Sequence, residues 1–328
     1  MTAPHVSCVV VAFHDPASLQ ALLAGLDHPE LEVVVVNVED DDRVAGVAAE
    51  AGASVVAVRG NPGYGTAVNL GVAAAAGLVI VFLNDDVTIG AASVLALAEV
   101  VQSGGADVAV PAVRTPSGDL EPTIAPLVTP RSLALEWLLV PDHRPSSGLA
   151  ARLLDRAPVE KWRAPVGPEP VPAASAVVVA ATAGLLRAIP LPEAYFLYWE
   201  ESEWFWHLRA AGRRVVFRPE LAAVHAGGRD DVRPDKARLL ARNAVRCVRR
   251  TQGRAAAARA LPVVVAWNLR LVATACVRAM APSRRRPGLV RARLAGLSAA
   301  LGATPFVWSA DDGARAAAIR ADTEPLRS

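Results

Sequence analysis

The chain has 328 residues, 53% of them hydrophobic and 20% charged, so it can build one large α/β domain or two smaller ones around a sizeable core. A net charge of +2 gives no global reason to expect a nucleic-acid partner, although Arg is concentrated and acids are scarce over residues 229–298. Three cysteines (Cys8, Cys247, Cys276) lack CxxC or metal-ligand spacing and read as core thiols of a reducing compartment. The first residues show no basic, apolar and cleavage-site succession, which predicts a cytoplasmic protein without a signal peptide.

The first 110 residues alternate strand and helix patterns. Val6 to Phe13 is nearly all apolar, as expected of a strand covered on both faces. Ala17 to Leu26 has helical spacing behind Asp15 and Pro16, a plausible cap and first-turn pair. Strands follow at Leu31 to Val38, Ser54 to Val58 and Leu78 to Leu83, with helices at Val44 to Ala51 and Thr66 to Ala76 between them. Residues 60–84 carry no charge, but Asn61, Pro62, Asn69, Gly71 and Gly77 break the run, which argues against a membrane span. A helix over Ala91 to Gln102 and a short strand over Asp107 to Val110 complete a pattern that predicts right-handed crossovers and a mostly parallel sheet.

Residues 111–172, rich in Pro, Arg and Gly, read as an irregular insertion with a helix near Ser132 to Leu139 and a role in contacting an acceptor. Residues 173–186 return to the core, Glu203 to Ala211 is helical, and Arg214 to Phe217 is a further strand. From Asp235 to about Leu301 the pattern is helical, broken at Pro282 to Pro287, and the last twenty or so residues read as loosely held.

Two polar sites follow apolar runs. Asn84-Asp85-Asp86 ends Leu78 to Leu83, where carboxylates of an α/β sheet meet ligands and can hold Mg²⁺ or Mn²⁺ on a diphosphate. The alternative is a helix cap, though Thr88 and Gly90 lie nearer the next helix. Glu200, Glu201 and Glu203 follow Tyr195 to Trp199 and precede Trp204, Phe205 and Trp206. Clustered acids raise one another's pKa toward that of a general base, and aromatic faces suit sugar rings; an amphipathic helix start is the alternative. The loop Asn61-Pro62-Gly63-Tyr64-Gly65, with Asn69 beyond, opens onto a helix N-terminus that favours anions, or is simply a tight turn. It is no dinucleotide fingerprint, since Val68 stands at the third glycine position. His225, before Gly227-Gly228, is structural unless it joins Asp86.

Taken in order, these residues resemble the family 2 glycosyltransferases, inverting enzymes of GT-A fold, and within them the bacterial rhamnosyltransferase-like branch of cell-wall and polysaccharide assembly. The resemblance covers about residues 6–250. It implies that Phe13 and Asn37, with Asn61, Gly63, Tyr64, Gly65, Asn69, Asn84 and Asp85, bind the nucleotide sugar. It implies that Asp86 and His225 hold a divalent metal. Glu201 then takes the place of the usual Asp base within Glu200-Glu201-Ser202-Glu203, with Trp199, Trp204 and Arg209 on the acceptor side, and Arg242-Asn243 matches a late Arg-Asn helix. Three positions depart from the pattern: Asn37 replaces an Asp, Glu201 is one methylene longer, and Ile189 to Glu193 replaces Gly-Gly-Phe-Asp.

The resulting expectation is a GT-A domain over 1–230, its nucleotide half about 1–110 and its acceptor half about 111–230, with a helical extension over 231–328. The implied partners are a nucleotide-diphosphate sugar, either dTDP-rhamnose-like or a UDP-sugar, and a glycan or lipid-linked acceptor. Basic helices predict peripheral contact with an anionic membrane, with an ordinary packed helical cap as the alternative. Rival functions are a non-catalytic nucleotide-sugar-binding protein and a nucleotidyltransferase. The second is weakened by the lack of a Gly-rich basic loop in the first βα turn.

Overall fold

The computed structural model describes residues 6–139, 165–227, 233–280, 288–304 and 307. Its chain divides into two units. The first comprises Met1–Ala125, Arg163–Ala194 and Trp204–Gly228; the second comprises Pro126–Trp162, Tyr195–Glu203 and Arg229–Ser328. The segment Tyr195–Glu203 thus groups with the C-terminal helices.

Unit one is built on β1 (Val6–Ala12), whose seven residues are all buried, as a strand covered on both faces requires. It pairs in parallel with β2 (Leu31–Val38) and β4 (Val79–Asn84), and β2 pairs in parallel with β3 (Ser54–Val58). The remaining strands are β5 (Val87–Thr88), β6 (Val108–Arg114), β8 (Glu169–Pro170), β10 (Val178–Thr182) and β11 (Val215–His225); β7 (Ile124–Ala125) and β9 (Ala173–Ala174) form a separate small pair. The main sheet runs β3-β2-β1-β4-β10-β6-β11-β5.

The expectation of a mostly parallel sheet needs correcting in the second half. Strand β10 lies antiparallel between β4 and β6, a pairing that does not require the crossover a parallel neighbour needs. Strand β11 is also longer than expected, carrying the chain out to His225. The fold class itself stands: an α/β sheet flanked by helices.

The helices start where local chemistry allows. Asp15 accepts from the Ser18 amide at 3.0 Å to cap α1 (Pro16–Gly25), and Asp41 accepts from the Arg43 amide at 2.9 Å to cap α2 (Asp42–Glu50). Helix α3 (Tyr64–Ala74) begins behind Gly63, whose φ of +92° favours glycine, and α4 (Ala91–Gln102) behind Gly90, so neither Asp85 nor Asp86 serves as that cap. The sheet order places its switch point between β1 and β4. There the register sets Asn84 beside Val11, and Ala12 beside Asn37 of β2. Ligands of open α/β sheets bind at such carboxyl ends.

Unit two holds α5 (Pro130–Leu133), capped by Thr129, running into a π-helical stretch at Ala134–Leu139 near the expected helix. Helices α6 (Ala183–Ala188) and α7 (Glu200–Ala210) come next in the chain, followed in unit two by α8 (Pro234–Gln252), α9 (Arg254–Met280) and α10 (Leu289–Leu301). These three pack through small residues: a Cβ on Gly296 would lie 2.7 Å from Asn268 Oδ1. Helix α9 continues through Pro262 without a break. The expectations for the loosely held tail and the Pro282 to Pro287 break lie outside the described residues. Cys8 and Cys247 are buried as expected, whereas Cys276 is exposed on α9.

Candidate active site

In unit one, three strand ends converge, those of β1, β4 and β11. Asp85 Oδ2 accepts from the Phe13 amide at 2.8 Å, which ties the end of β4 to the end of β1. Phe13 is 43% exposed at the switch point, its ring 4.4 Å from that of His14. Burial pushes the Asp85 carboxyl up to about 7, opposed by the Phe13 amide and reinforced by the negative charges of Asp86 and Asp15. His225, at the far end of β11, brings Nε2 to 3.3 Å from Asp86 Oδ2. Its Nδ1 lies 3.3 Å from Glu121 Oε2. Contact with Asp86, against the effect of burial, raises the His225 pKa, and Glu121 adds to the rise.

Do these groups suit a divalent cation? Asp86 Oδ1 and Asn84 Oδ1 are buried with no hydrogen-bond partner, an unmet demand for a donor or a cation. A Cβ on Gly227 would fall 2.4 Å from Asp86 Oδ2 and 2.5 Å from His225 Nε2, so only glycine leaves this space open. Among the described residues no group of three or more His, Cys, Asp or Glu side chains is arranged to hold a metal. Mg²⁺ and Mn²⁺ sites that are completed by phosphate oxygens and water need only one or two protein ligands. Asp86 and His225 fit such a site.

Several residues expected to bind the nucleotide sugar instead hold the chain together. Asn37 is fully buried; its Oδ1 accepts from the Asp41 amide at 3.1 Å and its Nδ2 donates to the Asp41 carbonyl at 2.9 Å. The amide therefore braces the β2–α2 turn. Asn61 Oδ1 accepts from the Gly63 amide at 3.0 Å, and the Tyr64 hydroxyl donates to the Ala176 carbonyl at 2.9 Å. Gly65 is required by close packing, since a Cβ there would meet the Pro192 carbonyl oxygen at 2.9 Å. Asn69 is spent on the Leu191 amide and carbonyl and on Glu193, anchoring the segment that departs from the family pattern. Of the loop, Gly63 remains as the opening onto the α3 N-terminus.

Sequence reasoning missed a second cluster beside Phe13. His14 Nδ1 lies 2.9 Å from Asp41 and its Nε2 2.7 Å from Glu39, and His14, Glu39 and Asp40 all have positive φ. Glu121 was missed as well, being separated from His225 by 104 residues.

In unit two, Tyr195 to Trp199 is no strand. It is an irregular turn in which Tyr198 and Trp199 adopt φ of +68° and +78°, a conformation that costs a bulky residue about 1–3 kcal/mol. The turn leads directly into α7 (Glu200–Ala210), three residues earlier than the sequence pattern indicates. Its three acids are not equivalent. Glu203 is 1% exposed, accepts from the Tyr195 hydroxyl, and receives Arg250 Nε at 2.7 and 2.9 Å. That makes it a structural ion pair, contrary to its expected place among the catalytic acids. Glu200 is 4% exposed with Oε2 unpartnered, and burial together with the charge of Glu201 drives its pKa well up. Glu201 is half-buried and also raised, chiefly by burial. Glu201, less buried than Glu200, is the acid of the pair that can meet a proton from outside the core.

The acceptor-side expectations need correction too. Trp204 is fully buried in unit one, donating to the Ile189 carbonyl at 2.7 Å and packing edge-on against Phe82 at 6.0 Å. It is a core residue. Trp199 is 9% exposed, donates to the Leu240 carbonyl at 3.0 Å and packs on Trp137. Arg209 is exposed on α7.

No curated protein matches the sequence. Among solved structures, the chain is similar to the mannosyltransferase PcManGT from Pyrobaculum calidifontis in complex with GDP-Man and Mn²⁺, at 14% identity over 95% of this chain and 89% of that one, with a TM-score of 0.50. It is also similar to glucosyl-3-phosphoglycerate synthase from Mycobacterium tuberculosis in complex with Mn²⁺, UDP and glucosyl-3-phosphoglycerate, at 16% identity over 76% and 80% of the two chains and a TM-score of 0.51. The fold is that of the GT-A glycosyltransferases, and residues 7–154 match the family described as Glycosyl transferase family 2.

Proposed function

We propose that the chain is a metal-dependent family 2 glycosyltransferase that moves a sugar, with inversion, from a nucleotide-diphosphate donor to an acceptor hydroxyl. The observation that carries this reading is the convergence of Phe13, Asp85, Asp86 and His225 at the strand ends of a GT-A sheet. Asp86 and His225 would hold Mg²⁺ or Mn²⁺, which supplies charge neutralisation for the diphosphate leaving group. The exposed Phe13 ring would stack on the nucleotide base, and the His14–Glu39–Asp41 cluster lies where the base or ribose needs polar partners. Glu201 would take the proton from the acceptor hydroxyl. Residues 1–230 would form the transferase domain and 231–328 a helical extension.

The donor would be dTDP-rhamnose-like or a UDP-sugar, and the acceptor a cell-wall, polysaccharide or lipid-linked glycan, as in the rhamnosyltransferase-like branch. A panel of nucleotide sugars, tested first for Mn²⁺-dependent binding and then for turnover and product anomer, decides the matter. Metal-independent binding, or retention at the anomeric carbon, would overturn the corresponding part.

Glu121 gives a further check. With its carboxylate on Nδ1, His225 keeps Nε2 directed at the Asp86 side, the arrangement that fixes a metal-binding tautomer. Glu121→Ala is expected to weaken Mn²⁺-dependent nucleoside diphosphate binding about 10–100-fold by calorimetry. Unchanged binding would remove Glu121 from the site.

We also place the protein on the cytoplasmic face of the membrane. Helix α9, 27 residues long, is by length and composition apolar enough to cross one, yet Arg270 lies within it. Leu269, Val277 and Met280 are exposed on it, as are Leu294 and Leu301 on α10. Residues 236–310 contain 15 basic residues and no acid. Apolar surface with an excess of positive charge suits anionic headgroups, each near-surface Arg adding about 1 kcal/mol. Co-sedimentation with phosphatidylglycerol vesicles at low salt, released at high salt, is the expected result. No binding at low salt would leave the helices as a packed cap.

A further inference from the structure

The strained turn ahead of α7 has a specific restraint. Tyr198 and Trp199, both large and both at positive φ, immediately precede Glu200 and Glu201. Residues this bulky hold that conformation only when their surroundings over-determine it. The restraint comes from α8. Asn243, 3% exposed, donates through Nδ2 to the carbonyls of Leu197 at 2.9 Å and Tyr198 at 3.3 Å. One turn earlier, the Leu240 carbonyl accepts from Trp199 Nε1 at 3.0 Å, and the Lys236 ammonium sits 5.7 Å from the centre of the Tyr198 ring. Trp137 packs edge-on against Trp199 at 5.3 Å. Lys236, Leu240 and Asn243 lie along one face of the helix, at spacings of four and three.

We propose that Asn243 is a positioning residue for the acid pair: it clamps the turn at Leu197 and Tyr198 and so sets the direction in which Glu201 leaves the start of α7. This rests on the reading of Glu201 as the base. Asn243 touches no substrate and does no chemistry, and its contribution passes through two backbone carbonyls. An amide serves here because both targets are acceptors. An aspartate of the same shape would set a carboxylate oxygen against them.

The test uses the full chain with Asn243→Ala and Asn243→Asp, followed by steady-state kinetics and amide hydrogen exchange. Both variants are expected to lose about 10–100-fold in kcat with donor KM within about twofold, because a misplaced base affects chemistry and leaves ground-state donor binding alone. Exchange is expected to speed up over Tyr198 to Glu203 while the middle of α8 stays protected. Asn243→Gln, which keeps the donor, should recover part of kcat. Wild-type kcat in Asn243→Asp would overturn the proposal. So would a loss of protection spread along all of α8, which marks a general packing role. The base assignment fails separately: if Glu201→Gln is fully active, kcat no longer reports on the clamp, and exchange at Tyr198 to Glu203 in Asn243→Asp then decides it alone.

Discussion

Glu201→Gln is expected to bind donor almost normally and to lose on the order of 10²–10⁴ in turnover, the range for removing a positioned general base. The substitution keeps volume and polarity and removes only the capacity to accept a proton. The three neighbouring acids make a controlled comparison. Glu203 is closed off by Tyr195 and Arg250, so Glu203→Gln should act on stability, at about 1–3 kcal/mol from the weakened buried pairing, and read out as a lower Tm. Burial, helped by the charge of Glu201, pushes the Glu200 carboxyl well above its usual range, so the neutral and isosteric Glu200→Gln should cost little turnover. Glu201 is expected to keep its role in that variant. The pH profile follows the same logic. Glu201 works only when ionised and burial raises its pKa, so kcat should climb with pH through that raised value and then level. A full-activity Glu201→Gln alongside an inactive Glu200→Gln or Glu203→Gln would place the base elsewhere in the cluster.

Much of unit one is legible because continuous apolar runs and helix caps are local signals. The bounds of β2, β3 and α4 coincide with the periodicity, and Asp15 caps as its position before Pro16 suggests. What fails is non-local. Strand β10 reads as core, but nothing in Val178–Thr182 encodes its antiparallel seat between β4 and β6. Tyr195 to Trp199 has strand-like composition, and only packing reveals that two of its residues are left-handed. Aromatic clustering cannot separate a sugar platform from a core: Trp204 and Phe205 turn out to be fully buried. Polar residues in the loops suggest ligand contacts, yet Asn37 and Asn69 are spent on backbone or on Glu193, and Asn61 Oδ1 on the Gly63 amide. Glu121 sits in a Pro-rich stretch with no period to mark it, and only the meeting with β11 gives it a partner.

Asp86→Ala should abolish turnover and Mn²⁺-dependent donor binding while leaving the fold intact, because Asp86 Oδ1 has no structural partner to lose and Oδ2 gives up one contact, to the part-buried His225 at 3.3 Å. Binding of a nucleoside diphosphate by calorimetry, with and without Mn²⁺, separates this from a folding defect. Wild-type activity of the variant in EDTA would end the metal role. The adjacent Asp85 adds a pH signature whose sign can be worked out. Burial raises its folded-state pKa to about 7, above the ordinary carboxylate value, so the folded chain holds this proton more tightly than the unfolded chain. The stability it contributes is therefore full below the ordinary value of about 4 and is lost as pH rises to about 7. A cation at Asp86 favours the ionised form of Asp85 and reverses the balance. Mn²⁺-dependent diphosphate affinity should consequently rise up to tenfold per pH unit below about 7 and flatten above it. Asp85→Asn removes the titrating group, and its affinity should be flat across the same range if Asp85 is the source of the slope. A slope that persists in Asp85→Asn would assign the titration to His225, whose protonation also opposes metal binding.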